Sequence, residues 1–222
     1  LVVTMRIVAV ADTHSFEHDV VVPDGDVFIH AGDLMRLGGL EELVPVARWI
    51  RGLPHPHKIV IAGNHDWCFV ESLEPALRLL GPEVHYLQDS GVVLDGVRFW
   101  GSPWQPEFHS WAFNVPRGEP LREIWSRIPD DTDVLVTHGP PHGFGDRVHR
   151  ERVGCRELLA ARARVRPALH LFGHIHEDGG IFEDPYGLLV NVTTAEGTRG
   201  PTVVEVVRDE HGMTARALQV PD

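Results

Sequence analysis

Two short stretches, Gly63-Asn64-His65-Asp66 and Gly173-His174-Ile175-His176, concentrate side chains that bind metals and move protons. Three further fragments carry the same residue types: Asp12-Thr13-His14, Gly32-Asp33 and Thr137-His138-Gly139. In a chain of 222 residues with 15 His, a D-x-H arises about once by chance, so Asp12-x-His14 means nothing alone. Gly-His-x-His is expected roughly 0.1 times and Gly-Asn-His-Asp about 0.0014 times, so these two carry the signal. Each fragment directly follows a hydrophobic run of strand character, and that shared context lifts the other three.

The donors are Asp12, His14, Asp33, Asn64, His138, His174 and His176: two carboxylates, one amide and four imidazoles. With no thiolate among them, the set favours two divalent ions drawn from Mn, Fe, Zn or Co. Asp12 and His14 share one side of a pleat, being two residues apart, and so do His174 and His176. The second pair can serve one metal each or both the same metal. Asp33 has two oxygens, enough to bridge two cations. Two such ions carry +4 against the −2 of Asp12 and Asp33. A hydroxide and a phosphoester would neutralise the remainder, so the expected chemistry is hydrolysis of phosphate esters.

His65 is left over beside Asn64. Asp66 is expected to hydrogen-bond one of its ring nitrogens and raise its basicity, with capping of a helix from Trp67 as the alternative. A protonated His65 is then a general acid toward the departing oxygen. Asn64, His65 and His142 are the candidate substrate contacts, although a plain loop histidine is the simpler reading of His142. His30 lies inside an apolar run and reads as a core histidine. Arg147, Arg150 and Arg152 read as a solvated charged loop, with an anion site as the alternative.

Positioning these groups requires strands. Candidates are Arg6–Ala11, Asp26–Ala31, Lys58–Ala62, Val92–Leu94, Val97–Gly101, Asp133–Thr137, Ala168–Phe172, Leu188–Val192, Thr202–Val207 and Met213–Val220. The first three are nearly continuous Val, Ile and Ala, the mark of strands covered on both faces. Leu40, Leu43, Ala47 and Ile50 recur at helical spacing, as do Leu73, Leu77 and Leu80 after Ser72, a candidate N-cap. Pro120 suits a first helical position, and a fourth helix is expected from Cys155 to Val165. Short turns at Asp184-Pro185-Tyr186-Gly187 and Asp209-Glu210-His211-Gly212 suggest antiparallel hairpins. The first half therefore reads βαβαβ and the second is richer in β: an α/β chain with two packed sheets flanked by helices. Ser102 to Glu119 shows no period but holds Trp104, Phe108, Trp111 and Phe113. Ordinary packing is the simplest expectation for that cluster; stacking a nucleobase and lining a homodimer contact are the alternatives.

Composition narrows the partners. The chain is 43% hydrophobic, enough for one core, and a single domain over residues 1–222 is expected. A formal charge of −12, from 20 basic and 32 acidic residues, opposes binding to long nucleic acid. A metal centre reverses that sign locally, so a small phosphodiester or nucleotide remains a suitable substrate. Lys58 is the sole lysine, a bias that points to genome composition rather than phosphate recognition. Cys68 and Cys155 are far apart, which suits a reducing compartment. No run approaches the ~20 apolar residues of a membrane span, and Leu1 to Thr4 is too short for a signal peptide. A cytoplasmic protein without a membrane partner is expected.

Taken together, Asp12-x-His14, Gly32-Asp33, Gly63-Asn64-His65-Asp66, His138 and Gly173-His174-x-His176 resemble the calcineurin-like metallophosphoesterase superfamily over nearly the whole chain. Longer stretches are similar to its metallophosphoesterase domain-containing, class III cyclic-nucleotide-phosphodiesterase-like subgroup. They are Phe28-Ile29-His30-Ala31-Gly32-Asp33, Gly101 to Phe108, Thr137 to Pro141 and Phe172-Gly173-His174-Ile175-His176-Glu177. The resemblance implies a four-layer α/β/β/α sandwich of two mixed sheets flanked by helices. It also implies one metal on Asp12, His14, Asp33 and His176, a second on Asp33, Asn64, His138 and His174, and His65 in the catalytic histidine's place. Two departures stand out. Gly32-Asp33 continues as Leu34-Met35-Arg36 rather than Asp-Arg-Gly, against a phosphoprotein phosphatase, and Asp66 stands where many members have Glu.

The expected activity is hydrolysis of small phosphodiesters, with cyclic nucleotides as the leading class. It would proceed by in-line attack of a hydroxide shared by two metals, with His65 assisting the leaving group. A phosphomonoesterase or nuclease is the alternative within enzymes. A non-catalytic interaction module is the alternative outside them, and that one sits poorly with a full ligand set.

Overall fold

A computed structural model describes residues 2–218. Its first segments alternate: β1 (Val3–Val10), β2 (Val27–Ala31), α1 (Leu40–Gly52), β3 (His57–Ile61), α2 (Cys68–Glu71), α3 (Leu73–Leu80) and β4 (Val84–Tyr86). There follow β5 (Ser90–Leu94), β6 (Val97–Ser102), β7 (Gln105–Pro106), β8 (Asn114–Val115), α4 (Glu119–Ser126) and β9 (Val134–Thr137). The remainder is β10 (Arg147–Val148), β11 (Glu151–Arg152), α5 (Arg156–Val165), β12 (Leu169–Phe172), β13 (Gly180–Asp184), β14 (Gly187–Asn191), β15 (Thr202–Asp209) and β16 (Gly212–Leu218).

Two six-stranded sheets form, in the orders β16-β15-β1-β2-β3-β4 and β13-β14-β12-β9-β6-β5. The central strands of each run parallel; antiparallel hairpins close both edges of the second sheet and one edge of the first, whose other edge, β4, runs parallel to β3. Because strand side chains alternate, Ile7 and Ala9 turn inward with Ile29 and Ile59 to meet Val134, Val136, Leu169 and Leu171 of the other sheet. Val10, Phe28 and Val60 turn outward onto Leu43, Val46 and Ile50 of α1 and Ala76 and Leu80 of α3. Leu135 does the same toward Leu121 and Trp125 of α4 and Leu158 of α5. The layers are therefore helix, sheet, sheet, helix, and both faces of β1, β2 and β3 are covered, as their apolar runs require.

Some local expectations need correction. Strand β4 and the edge strand β13 lack a long apolar run, which is why composition did not reveal them. Ser72 precedes α3, but its side chain makes no capping bond. Pro120 is the second residue of α4, not the first. The last strand is Gly212–Leu218, and Gln219 and Val220 lie outside the described residues. Ser102 to Glu119 is not structureless: β7 and β8 pair within it. Among the described residues no helix is long and apolar enough to cross a membrane.

Arg162 on α5 is wholly buried and makes a two-pronged ion pair with Asp184 at the β13–β14 turn, at 2.8 and 2.9 Å. Bidentate geometry suits a guanidinium in such a place, and removing one partner of a buried pair typically costs about 3–5 kcal/mol. Arg162→Ala is expected at the lower end, about 3 kcal/mol, since Asp184 still accepts from the Tyr186 and Gly187 N–H groups. Urea unfolding checks this, and a loss below about 1 kcal/mol would show that the pair is not a stabilising tie.

Candidate metal centre

Every candidate ligand lies just past the C-terminal end of a parallel strand: Asp12 and His14 after β1, Asp33 after β2, Asn64 after β3, His138 after β9, and His174 and His176 after β12. The two sheets join at this end, where Ala11 bridges to Thr193 beyond β14. To turn back into the common space the chain adopts left-handed backbone at Asp12 (φ 55°), His14 (45°), Asp33 (55°) and His174 (71°). Asp and His tolerate that region better than most residues. Non-glycine residues held there cluster at functional sites.

The structure brings all seven side chains together. The His14 Nε2 lies 3.3 Å from the His176 Nε2 and 3.7 Å from an Asp33 oxygen. On the other side of Asp33, the His138 Nε2 lies 3.4 Å from its second oxygen and 3.0 Å from the Asn64 Oδ1. His176 approaches Asp12 at 3.8 Å. Donor atoms of Asp12, His14 and His176 fall within 4.8 Å of one another, as do those of Asp33, His138 and His174.

Backbone carbonyls set two of the ring tautomers. The His14 Nδ1 faces the Met35 carbonyl at 3.2 Å and the His138 Nδ1 faces the Ala31 carbonyl at 3.0 Å. A carbonyl only accepts, so each Nδ1 carries the proton and each Nε2 presents a lone pair inward. Lone pairs crowded against carboxylate oxygens at these distances fit divalent cations.

A proton competes with a cation for these lone pairs. Burial opposes the Asp33 charge, yet His138 and His14 hold its carboxyl well below the usual range. Burial likewise disfavours charge on His138, but Asp33 outweighs it and raises that ring to about 9. His174 is pushed down to about 4 by burial and then by His138.

His65 lines the same cavity, an open space of about 540 Å³. Its N–H donates to Asp33 at 2.8 Å and its Nδ1 to the Arg36 carbonyl at 2.7 Å. Trp111 stacks on the ring, with centroids 4.2 Å apart and planes at 29°. The expectation that Asp66 orients this ring is therefore corrected. The Asp66 carboxylate is buried and accepts instead from the N–H groups of Leu34, Met35 and Gly63. It ties the loop after Asp33 to the Asn64 turn; burial and then the Asp33 charge raise its carboxyl to about 8. Capping of the helix near Trp67 is not its role either.

His142 faces Asp146 at 3.6 Å and is not among the residues lining the metal cavity, in line with the simpler reading of a loop histidine rather than a substrate contact. His30 is a core histidine, its Nε2 2.9 Å from the Thr13 hydroxyl. The aromatic cluster divides. Trp104 packs on Phe113 and donates to Asp89, Trp111 enters the cavity, and Phe108 stands at its rim. The Arg36 carbonyl and Trp111 are the functional contacts that sequence reading missed. The first is backbone, invisible to residue type, while the second was flagged only as one of four aromatics.

The calcineurin-like phosphoesterase family pattern matches residues 5–178 of the chain. Metallophosphoesterase domain-containing protein 1 of Homo sapiens is 42% identical, with 92% of this chain and 70% of that protein covered. A UPF0046 protein of Caenorhabditis elegans is also 42% identical, over 84% of this chain and 69% of its own length. The crystal structure of TT1561 of Thermus thermophilus superposes with a TM-score of 0.64 over 98% of this chain and 100% of that one, at 15% identity, a likeness of fold alone.

Gly63 gives a direct test of the packing around Asp33, since a Cβ there would collide with the Asp33 backbone N and carboxylate. Gly63→Ala is expected to lose about 1–3 kcal/mol of stability through overpacking. Manganese is expected to raise the Tm of the wild-type protein, and the variant should lose most of that rise. Thermal scans with and without manganese measure both, and an undiminished rise in the variant would contradict this placement of Asp33.

Proposed function

The chain belongs to the calcineurin-like phosphoesterase family, and from that premise we propose that it is a dinuclear phosphodiesterase acting on small phosphodiesters, with cyclic nucleotides as the leading natural class. That it is a metal-dependent phosphoester hydrolase follows from the family and the donor set. Asp12, His14, Asp33 and His176 would hold one ion and Asp33, Asn64, His138 and His174 the other. When bound, such ions supply Lewis-acid charge for the phosphoryl oxygens and acidify water.

The chain's own residues do the rest. His65 is fixed by Asp33, the Arg36 carbonyl and Trp111, which commits its Nδ1 and leaves Nε2 to deliver a proton to the departing oxygen. Asn64 would hold an ion through its Oδ1 and offer its amide N–H to a phosphoryl oxygen.

The observation that carries a diester over a monoester is the charge around the cavity. Beyond the ligands and His65, its charged walls are Arg36, Glu177 and Glu196. Arg36 leans over the Phe16 ring, with its guanidinium carbon 5.4 Å from the ring centroid. A phosphomonoester dianion would face two carboxylates with one guanidinium to offset them; a diester brings only one charge. The −12 surface argues in the same direction against long nucleic acid. We place the enzyme in the cytoplasm, because Cys68 and Cys155 are both unpaired and buried, as a reducing compartment allows.

With manganese added, Asn64→Ala and His138→Ala are expected to abolish turnover of bis(p-nitrophenyl) phosphate, and wild-type enzyme is expected to prefer it to p-nitrophenyl phosphate. His65→Ala should cost about 10²–10⁴-fold for an alkyl leaving group and much less for p-nitrophenolate, which departs without a proton. Steady-state kinetics decide each point. Full turnover in either ligand variant, or equal His65→Ala losses for both leaving groups, would refute the assigned roles.

A further inference from the structure

A second cavity of about 830 Å³ adjoins the metal cavity, and the two share Phe108, His174 and Glu177 as a common wall. Its remaining apolar walls are Pro106, Pro140, Val148, Val153 and Ile175. The polar groups of this wall are largely committed to one another. Arg117 donates to the carbonyls of Val153 and Gly154, the β10–β11 ribbon is tied to Asp178 through the Arg147 N–H, and buried Asp146 binds the Gly143 and Gly154 N–H groups and Arg152. The charged liners Glu107, Arg117, Arg150, Glu151 and Glu177 are all exposed and of both signs, so the interior selects for shape and apolar surface rather than for charge.

Phe108 stands on the seam. It is 52% exposed, and its ring presents an edge toward His174 with centroids 6.3 Å apart. A phenyl ring left in water between two cavities offers a face to a planar group, at little conformational cost.

The direction follows from His65. That ring and Trp111 line the metal cavity but not the second one. The departing oxygen must lie on the His65 side to receive its proton. In an in-line displacement the group that stays on phosphorus points elsewhere, and the space open to it runs past His174 and Phe108.

We propose that the second cavity receives the retained side of the phosphodiester, and that preferred substrates carry a planar aromatic group there, packed on Phe108. This rests on the phosphodiesterase reading above. It accounts for a paired cavity that a phosphomonoester, with no second ester arm, would leave unfilled.

The test compares two diesters with one leaving group, phenyl p-nitrophenyl phosphate and methyl p-nitrophenyl phosphate, on the manganese-loaded enzyme. The measured quantity is the ratio of their kcat/KM values, phenyl over methyl. Phe108→Ala, an exposed position that the fold does not depend on, is expected to lower that ratio about tenfold. Val148→Trp, which fills the cavity from the β10–β11 ribbon, should lower it at least as far. If the ratio stays within about twofold of wild type in both variants while both esters are still hydrolysed, the cavity takes no part and the inference is overturned, with the phosphodiesterase reading intact. If wild-type enzyme cleaves p-nitrophenyl phosphate but neither diester, that reading falls and the inference with it.

Discussion

Asp33 carries a charge where the ends of two sheets meet, away from bulk water, and the surrounding backbone is shaped around that fact. An uncompensated buried carboxylate is penalised by several kcal/mol. Here one oxygen faces His14 and the other faces His138, while the His65 N–H donates to it. Gly63 leaves its side chain room, and Gly32, at φ +94°, lets β2 turn sharply with no Cβ against His138 and the Ala62 carbonyl. Divalent cations, when bound, would complete the compensation that imidazoles begin. Without this charge the crowding of lone pairs beside it would have no rationale.

A layer of main-chain contacts keeps the ligands in register. Carbonyls of Ala31, Met35 and Arg36 each orient one histidine, and all three lie on or just after β2. Asp66 holds that same stretch through the Leu34 and Met35 N–H groups, so it acts on the ligands through backbone rather than on any ring. Beneath the site the two sheets use one device twice. The Thr13 hydroxyl meets His30 and the Thr137 hydroxyl meets His170, both at 2.9 Å. Each threonine adjoins a ligand, and burial pushes His30 down to about 3 and His170 well below its usual range. These histidines stay neutral and add no competing charge.

The same economy marks the cavities. On one side of the candidate metal centre stand His65, Trp111 and Arg36, where the proposed reaction would need a proton. On the other, Phe108 and the β10–β11 ribbon offer apolar surface whose hydrogen bonds are already satisfied. Under the proposed function, that division would separate proton delivery from shape selection around one phosphorus.

The seven candidate ligands, the strands that bear them and the packing of two sheets between helices were legible in residue types and their order, because residues that can donate to metals are few and strand periodicity is strict. The two carboxylate oxygens of Asp33 marked it as a candidate to serve two ions. Which group orients His65 was not legible. The local neighbour Asp66 was the natural choice along the chain, yet the contact comes from the Arg36 carbonyl, and every residue has a carbonyl. Nor could spacing distinguish Trp111 from Trp104, or show that His142 faces Asp146. Those outcomes depend on which loops approach across the join between the sheets. Sequence thus determined the chemistry available to this protein, while tertiary packing alone decided which groups aim it, since orientation resides in backbone positions that residue identity does not encode.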